Sequence, residues 1–406
     1  MKRFLPFTVL LCCSASLVYS QDRFAYAITD VVKDGANWSS LRKLDLQTGK
    51  FGDIMLNGLD ASAKVHDALT KKQITEPLQD KQIGSLANTA FATGVAAIAY
   101  DRKTMRLFYT PMLMDQLRYV DLKTMKVYFV NDAGLTGASA KAADQSNIIT
   151  RMAIASDGNG YALTNDANSL IRFTTGKKIT VTNLGIITDD PANTKASIHN
   201  SCSSFGGDMI ADDDGNLYVF SARNYVFKIN IETKVATLLG QLDGIPDTFT
   251  ANGVAVAEDN SVWITSAVDN SGVFSVDMKT LKVKKIIDGA WKSADLANSN
   301  LLAIQRSATP SLISSPVEIS NKQVQLYPNP VVGKQFAVRL DLPEGNYTLS
   351  ITDMIGRQSL VQSVINIRKV QTENIQLPAS TQNGMYLVRV LDSNGKPVYS
   401  KKILVQ

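Results

Sequence analysis

Residues 21–406 hold few side chains able to do chemistry. There are two histidines, His66 in AKVHDALTKK and His199 in KASIHNSCSS, and one cysteine, Cys202, besides Cys12 and Cys13 near the start. A histidine-based triad or zinc centre would have to be assembled from these two rings. Cys202 would have to be held as a thiolate to act as a nucleophile, and only His199 lies near it in sequence, so it reads as a buried or idle thiol. No GxSxG, HExxH, CxxC or P-loop pattern is present. The acidic run DDDGN, Asp212 to Asn216, offers the hard oxygen ligands that calcium takes. The same Asp, Asn and Gly residues are what a tight hairpin turn demands, and the turn is the preferred reading. The sequence therefore requires no cofactor, and a divalent cation such as calcium is the one candidate.

The elements that must position these groups are written as a repeat. LDLQTGK from Leu44 returns as VDLKTMK from Val120, INIETK from Ile229 and VDMKTLK from Val276. Each copy joins an alternating apolar run to a second one through Asp or Asn, a Thr and a Lys, which predicts strand, turn, strand. A second hairpin precedes the later copies: VAAIAYDRKTMRLFYT from Val95, GGDMIADDDGNLYVFS from Gly206 and NGVAVAEDNSVWITS from Asn252, with MAIASDGNGYALT from Met152 before a degenerate copy. Four-strand units repeating at some 45 to 56 residues, measured between Leu107, Tyr161, Leu217 and Val262, predict a β-propeller. Five units are expected, with a sixth drawn from the two ends, where SADLANSNLLAIQR would supply an innermost strand to the first hairpin.

The whole chain is 45% hydrophobic and 19% charged, ordinary for folded protein. Its net charge of +5 is confined to the ends, because residues 21–315 carry 30 basic against 31 acidic side chains. No basic face with interleaved aromatics is visible, which excludes a nucleic-acid binder. MKRFLPFTVLLCCSASLVYS reads as a signal peptide, residues 1–20, removed before Gln21. No later apolar run reaches the ~18 residues of a membrane helix. With both early cysteines lost in that cut, no internal disulfide can form. Residues 21–306 are then the propeller, 307–321 a linker, and 322–406 a small β-sandwich whose runs alternate between Gly, Pro and Asn turns.

The sandwich carries YPNPV at Tyr327, YTLSITDMIGR at Tyr347, GMYLVRVLDSNGK at Gly384 and a terminal KKILVQ at Lys401. These motifs resemble the type A C-terminal sorting domain of the Bacteroidetes type IX secretion system. The resemblance implies recognition by the secretion machinery and its C-terminal signal peptidase, passage through the periplasm, and delivery to the medium or the outer-membrane surface. It rests on Tyr327, Pro328, Asn329, Pro330, Asp353, Gly356, Gly384, Tyr386, Lys401 and Lys402, with the prolines shaping an entry turn and the lysines expected at a strand end.

Within the propeller the outer-to-inner connections 59–92, 131–149, 186–204 and 240–251 are long, and long loops in compact domains commonly bind or cover something. They carry His66, Lys71, Asp144, Asp190, Lys195, His199, Asn200, Asp247 and Phe249, which together with Asn252 are expected to converge round one mouth and bind an extracellular glycan, peptide or protein. The alternative is a metal-dependent hydrolase. NGVAVAEDNSVWITSAVDNSGVFSVD from Asn252 resembles a blade of the gluconolactonase-like propellers, in which Asn252 would be a metal ligand. Ser266 or Ala267 stands where that pattern needs an Asp. Losing a carboxylate removes both a ligand and a charge, and this with the scarcity of histidine favours binding over catalysis.

Overall fold

The computed structural model describes residues 21–60, 63–75, 83–130, 134–137, 143–303, 324–353, 358–367, 370–391 and 397–406. The 1–20 segment, the 307–321 linker and Gly356 lie outside them. The chain divides into two compact units, Met1–Ile304 and Gln305–Gln406.

In the first unit the alternating runs form strands. They are β1 (Phe24–Thr29), β2 (Ser40–Asp45), β3 (Leu56–Asn57), β4 (Val65–Asp67), β5 (Val95–Asp101), β6 (Arg106–Pro111), β7 (Arg118–Asp121) and β8 (Lys126–Phe129). There follow β9 (Ile149–Ile154), β10 (Gly160–Thr164), β11 (Leu170–Phe173), β12 (Val181–Gly185), β13 (Thr188–Asp189), β14 (Asp208–Ala211), β15 (Asn216–Phe220), β16 (Tyr225–Asn230) and β17 (Val235–Gln241). The last are β18 (Gly253–Val256), β19 (Val262–Thr265), β20 (Gly272–Val276), β21 (Val283–Asp288) and β22 (Ser293–Ala297).

These strands pair into five sheets: β22-β1-β2-β3, β4-β8-β7-β6-β5, β12-β11-β10-β9, β13-β17-β16-β15-β14 and β18-β19-β20-β21. The innermost strands β5, β9, β14, β18 and β22 touch in that cyclic order, β22 returning to β5. The sheets are thus blades round one axis. Among the described residues there are five, and the two ends build the fifth blade rather than a sixth. Closure is antiparallel, Tyr26 opposite Ala297 and Ile28 opposite Asp295. It is reinforced where the Asp22 carboxylate accepts from Ser299 N and Oγ and Asn300 Nδ2 donates to Asp22 O.

The repeated phrase is a turn between the third and fourth strands of a blade. Asp45 Oδ1 accepts from the amides of Gln47 and Thr48, Asp121 from Lys123 and Thr124, Asp277 from Lys279 and Thr280, and Asn230 from Thr233. The residue four places after each turn-starter, at Gly49, Met125, Lys234 and Leu281, has φ of 67°, 55°, 57° and 57°. Only the first copy uses glycine for this left-handed position. Between blades the inward residues interlock, as where Phe108 meets Phe173 at 5.1 Å between ring centres. A fully buried side chain of this size contributes ~1.5–3 kcal/mol.

The second unit holds β23 (Val324–Tyr327), β24 (Gln335–Leu340), β25 (Gly345–Asp353), β26 (Gln358–Ile367), β27 (Gln371–Gln376), β28 (Gly384–Leu391) and β29 (Pro397–Val405). They form sheets ordered β23-β24-β27 and β26-β25-β28-β29. Val338, Leu349, Val388 and Ile403 belong to the core shared by the two sheets.

Candidate functional site

The innermost strands all run the same way along the axis, so the loops leaving each second strand share a face with the connections entering each blade. That looped face was expected to gather the long connections, but three of them are partly drawn to blade edges instead. From 59–92, β4 pairs parallel with β8; from 186–204, β13 pairs parallel with β17; and from 240–251, Asp243 bridges Lys282. An outer strand presents a row of unpaired N–H and C=O groups, and the connection lying beside it satisfies them.

The expected site residues are consequently dispersed. His66 lies on β4 with its ring 5.3 Å from Tyr128, and its buried Nδ1 has no hydrogen-bond partner among the described residues. Lys71 Nζ donates to Tyr119 Oη at 2.9 Å and covers the Tyr128 ring. His199 is built into a different place, its Nδ1 2.6 Å from Asp166 O and its Nε2 2.9 Å from Ile187 O, so that it ties the 186–204 connection to the neighbouring blade. The histidines are thus committed separately.

Asp190 accepts from Ala192 N and Thr237 Oγ1, Asp144 accepts from Ser146, and Asn200 caps the short helix α1 (Ser201–Ser204) by accepting from Cys202 N. Phe249, expected at a rim, is instead buried 4.8 Å from the Phe274 ring. Lys195 and Asp247 are exposed. Asn252 Oδ1 accepts from Thr250 Oγ1 and Ala267 N, and Ser266 Oγ accepts from Val268 N and Asp269 N. Both groups of the lactonase-like pattern therefore hold turns. In DDDGN, Asp212 accepts from Asp214 N, Asn216 N and Asn216 Nδ2, as a turn requires. Among the described residues no three of His, Cys, Asp and Glu gather as a metal would need.

The axis holds what sequence reasoning missed. Asp208 on β14 and Asp295 on β22 are wholly buried, on the inner strands to either side of β18. A Cβ on Gly253 would lie 2.5 Å from Thr265 Oγ1 and 2.8 Å from Leu296 Cγ, so the strands approach this closely only with glycine there. Asp208 accepts from Met209 N at 2.5 Å, Val254 N at 2.6 Å and Leu296 N at 3.4 Å, knitting three inner strands. Neither Asp295 oxygen has a hydrogen-bond partner of normal geometry among the described residues. Burial drives both carboxyls well above the usual carboxylate range; proximity to Asp208 adds to the rise of Asp295, while amide bonds oppose that of Asp208. Nearby, buried Arg151 donates to the carbonyls of Thr164, Ser204 and Gly206, and desolvation lowers its pKa to about 9 against the pull of Asp166 and Asp208. The visible signal was a charged residue inside two otherwise apolar inner strands, GGDMIA and SADLA.

Further along the axis a small, partly open pocket of about 20 Å³, room for a single water-sized group, is lined by Tyr100, Met152, Met209, Val254 and Asn300 among others. On the looped face a second small pocket, of about 10 Å³, lies among Thr110, Met114, Asp115, Thr136, Asn147 and Ile148. The Asp115 charge is spent there on the amides of Leu135, Thr136 and Gly137. The same face exposes Val31 and Val32 after β1 and Val268 after β19, at 39%, 60% and 56% of full accessibility. These two loops are joined by Asn270 Nδ2 donating to Asp34 Oδ1.

In the second unit Tyr327 ends β23, and Asp353 at the end of β25 stands opposite Tyr386. Tyr386 Oη donates to Gln382 O, and Gly384 opens β28. Lys401 and Lys402 were expected at a strand end but lie inside β29, opposite Val388 and Leu387, because the terminal run pairs along nearly its whole length with β28.

Residues 325–406 match the secretion system C-terminal sorting domain family. The chain is thus a five-bladed propeller followed by a type IX sorting domain, a protein marked for export to the cell surface or the medium. Among the described residues no helix is long and apolar enough to cross a membrane. Solved structures similar to it include PorZ, a surface component of the type IX secretion system of Porphyromonas gingivalis (13% identity, TM-score 0.32, covering 94% of this chain and 51% of that one). A streptogramin B lyase (12%, 0.34, 65% and 87%) and a nidogen/laminin complex (12%, 0.36, 68% and 98%) are also similar. The chain spans about half the length of PorZ. No curated protein sequence matches it.

Proposed function

We propose that this exported propeller is a binding protein of the cell surface or the medium, and that its looped face takes an extracellular peptide or protein. The supporting observation is three exposed valines, Val31, Val32 and Val268, on two loops of that face tied by the bond between Asn270 and Asp34. Valines exposed to water gain nothing there, whereas a partner that buries them gains ~25 cal/mol per Å² of apolar area. The nearly neutral body carries no strong field to steer a highly charged ligand. On the same face Met114 and Ile148 stand beside the polar Thr136 and Asn147, a mixture that suits an uncharged peptide segment.

The test is capture of extracellular proteins and peptides by the purified chain and by its Val32→Asp, Val268→Asp variant. The variant should keep its thermal unfolding midpoint, because both positions are exposed, and lose the captured partner. Equal capture by both would overturn the assignment of this face.

A further inference from the structure

The motif YPNP shapes the entry to the second unit, and its asparagine does something that prolines cannot. The outer edge of β29 faces residues 329–331. Val331 N donates to Leu404 O at 2.7 Å and Gln406 N donates to Val331 O at 2.9 Å, a parallel bridge opposite Val405. Immediately before it, Pro328 and Pro330 have no N–H to offer. The Asn329 side chain fills the gap: Oδ1 accepts from Leu404 N at 3.0 Å and Nδ2 donates to Lys402 O at 3.2 Å. A side-chain amide presents one donor and one acceptor in the arrangement of a peptide group, so Asn329 acts as an extra strand residue. The end of the chain is thereby paired on both sides, with β28 on one and the 329–331 segment on the other. Without it, Leu404 N and Lys402 O would be open edge groups on the last strand.

We propose that Asn329 is a positioning residue for export, whose amide pins residues 402–406 to the body of the sorting domain so that the machinery meets the last strand docked rather than frayed. The contact is exposed, so its loss should loosen the terminus without unfolding the sandwich, whose core is made by other residues.

The test compares the full chain carrying Asn329→Ala or Asn329→Asp with the parent, by hydrogen exchange of individual amides and by the fraction of protein reaching the medium or the cell surface. In Asn329→Ala the Leu404 and Gln406 amides should exchange about tenfold faster while those of β24 and β25 keep their rates, and export should fall severalfold. Asn329→Asp keeps the acceptor for Leu404 N and loses the donor to Lys402 O, so it should fall between. Faster exchange at the terminus with undiminished export would overturn the proposal, as would unchanged exchange at Leu404. If Asn329→Ala loosens the whole unit, Asn329→Asp decides: faster exchange confined to residues 402–406 with reduced export supports the role, and parental behaviour in both overturns it.

Discussion

Replacing Asp295 by asparagine should stabilise the propeller at neutral and alkaline pH and flatten the dependence of its stability on pH. Asp208 and Asp295 are both fully buried and both hold their protons far above the ordinary range, chiefly through desolvation. In the unfolded chain an aspartate titrates near ~3.9. From about pH 4 up to the raised values of the pair the folded protein therefore binds more protons than the unfolded one. Stability is full below that window and falls through it by about 1.4 kcal/mol per pH unit for each proton retained. The two carboxyls titrate as a pair, and the less favourable member is Asp295, whose rise is opposed by the Ile98 amide alone and without a well-formed hydrogen bond, whereas Asp208 accepts from three amides. Asparagine cannot ionise, has nearly the same shape, and brings an Nδ2 donor beside Asp208. Relieving a buried unsatisfied group is worth about 1–3 kcal/mol, and in a domain of this size each kcal/mol moves the Tm by about 2–4 °C. The assay is urea and thermal unfolding of parent and variant at pH 5 and pH 8. A parent whose stability is level between these values, or a variant that is less stable than the parent at pH 8, would refute the reasoning.

Other changes probe the rest of the structure. Ile198→Ala should cost about 2–5 kcal/mol in urea unfolding, because that side chain is fully buried and leaves a cavity; shortening 186–204 to a tight turn should therefore unfold its blade, contrary to what loop length alone suggests. Arg151→Met fills similar space but strands the carbonyls of Thr164, Ser204 and Gly206, and should lower stability by about 3 kcal/mol or more; a loss below about 1 kcal/mol would show that water replaces the guanidinium. Deleting residues 322–406 should leave a folded propeller that is not exported, since its core clusters contain no residue of the second unit. Fractionation of cells checks this, and undiminished secretion would contradict the role of the sorting domain.

The hairpins, the turn-starting Asp and Asn residues and the sorting domain were legible in the amino-acid sequence because they rest on local relations. A period of two shows which residues share a face, and Asp45 reaches amides only two and three residues ahead. The origin of the innermost strand of the first blade was legible too, since the first hairpin lacked one and Ser293–Ala297 alternates suitably. What needed the tertiary structure was every relation between distant segments. Five blades rather than six follows from how many sheets fill the circle, which no single repeat reports. The edge strands β4 and β13 are three and two residues long, too short for any periodicity, and exist because an outer strand had unpaired groups to satisfy. They draw the long connections aside and keep His66 and His199 in separate structural roles. Asp208 and Asp295 lie in two different repeats, and only ring closure, which sets β14 and β22 on either side of β18, makes them buried neighbours, where the cost of charge turns two ordinary carboxylates into retained acids.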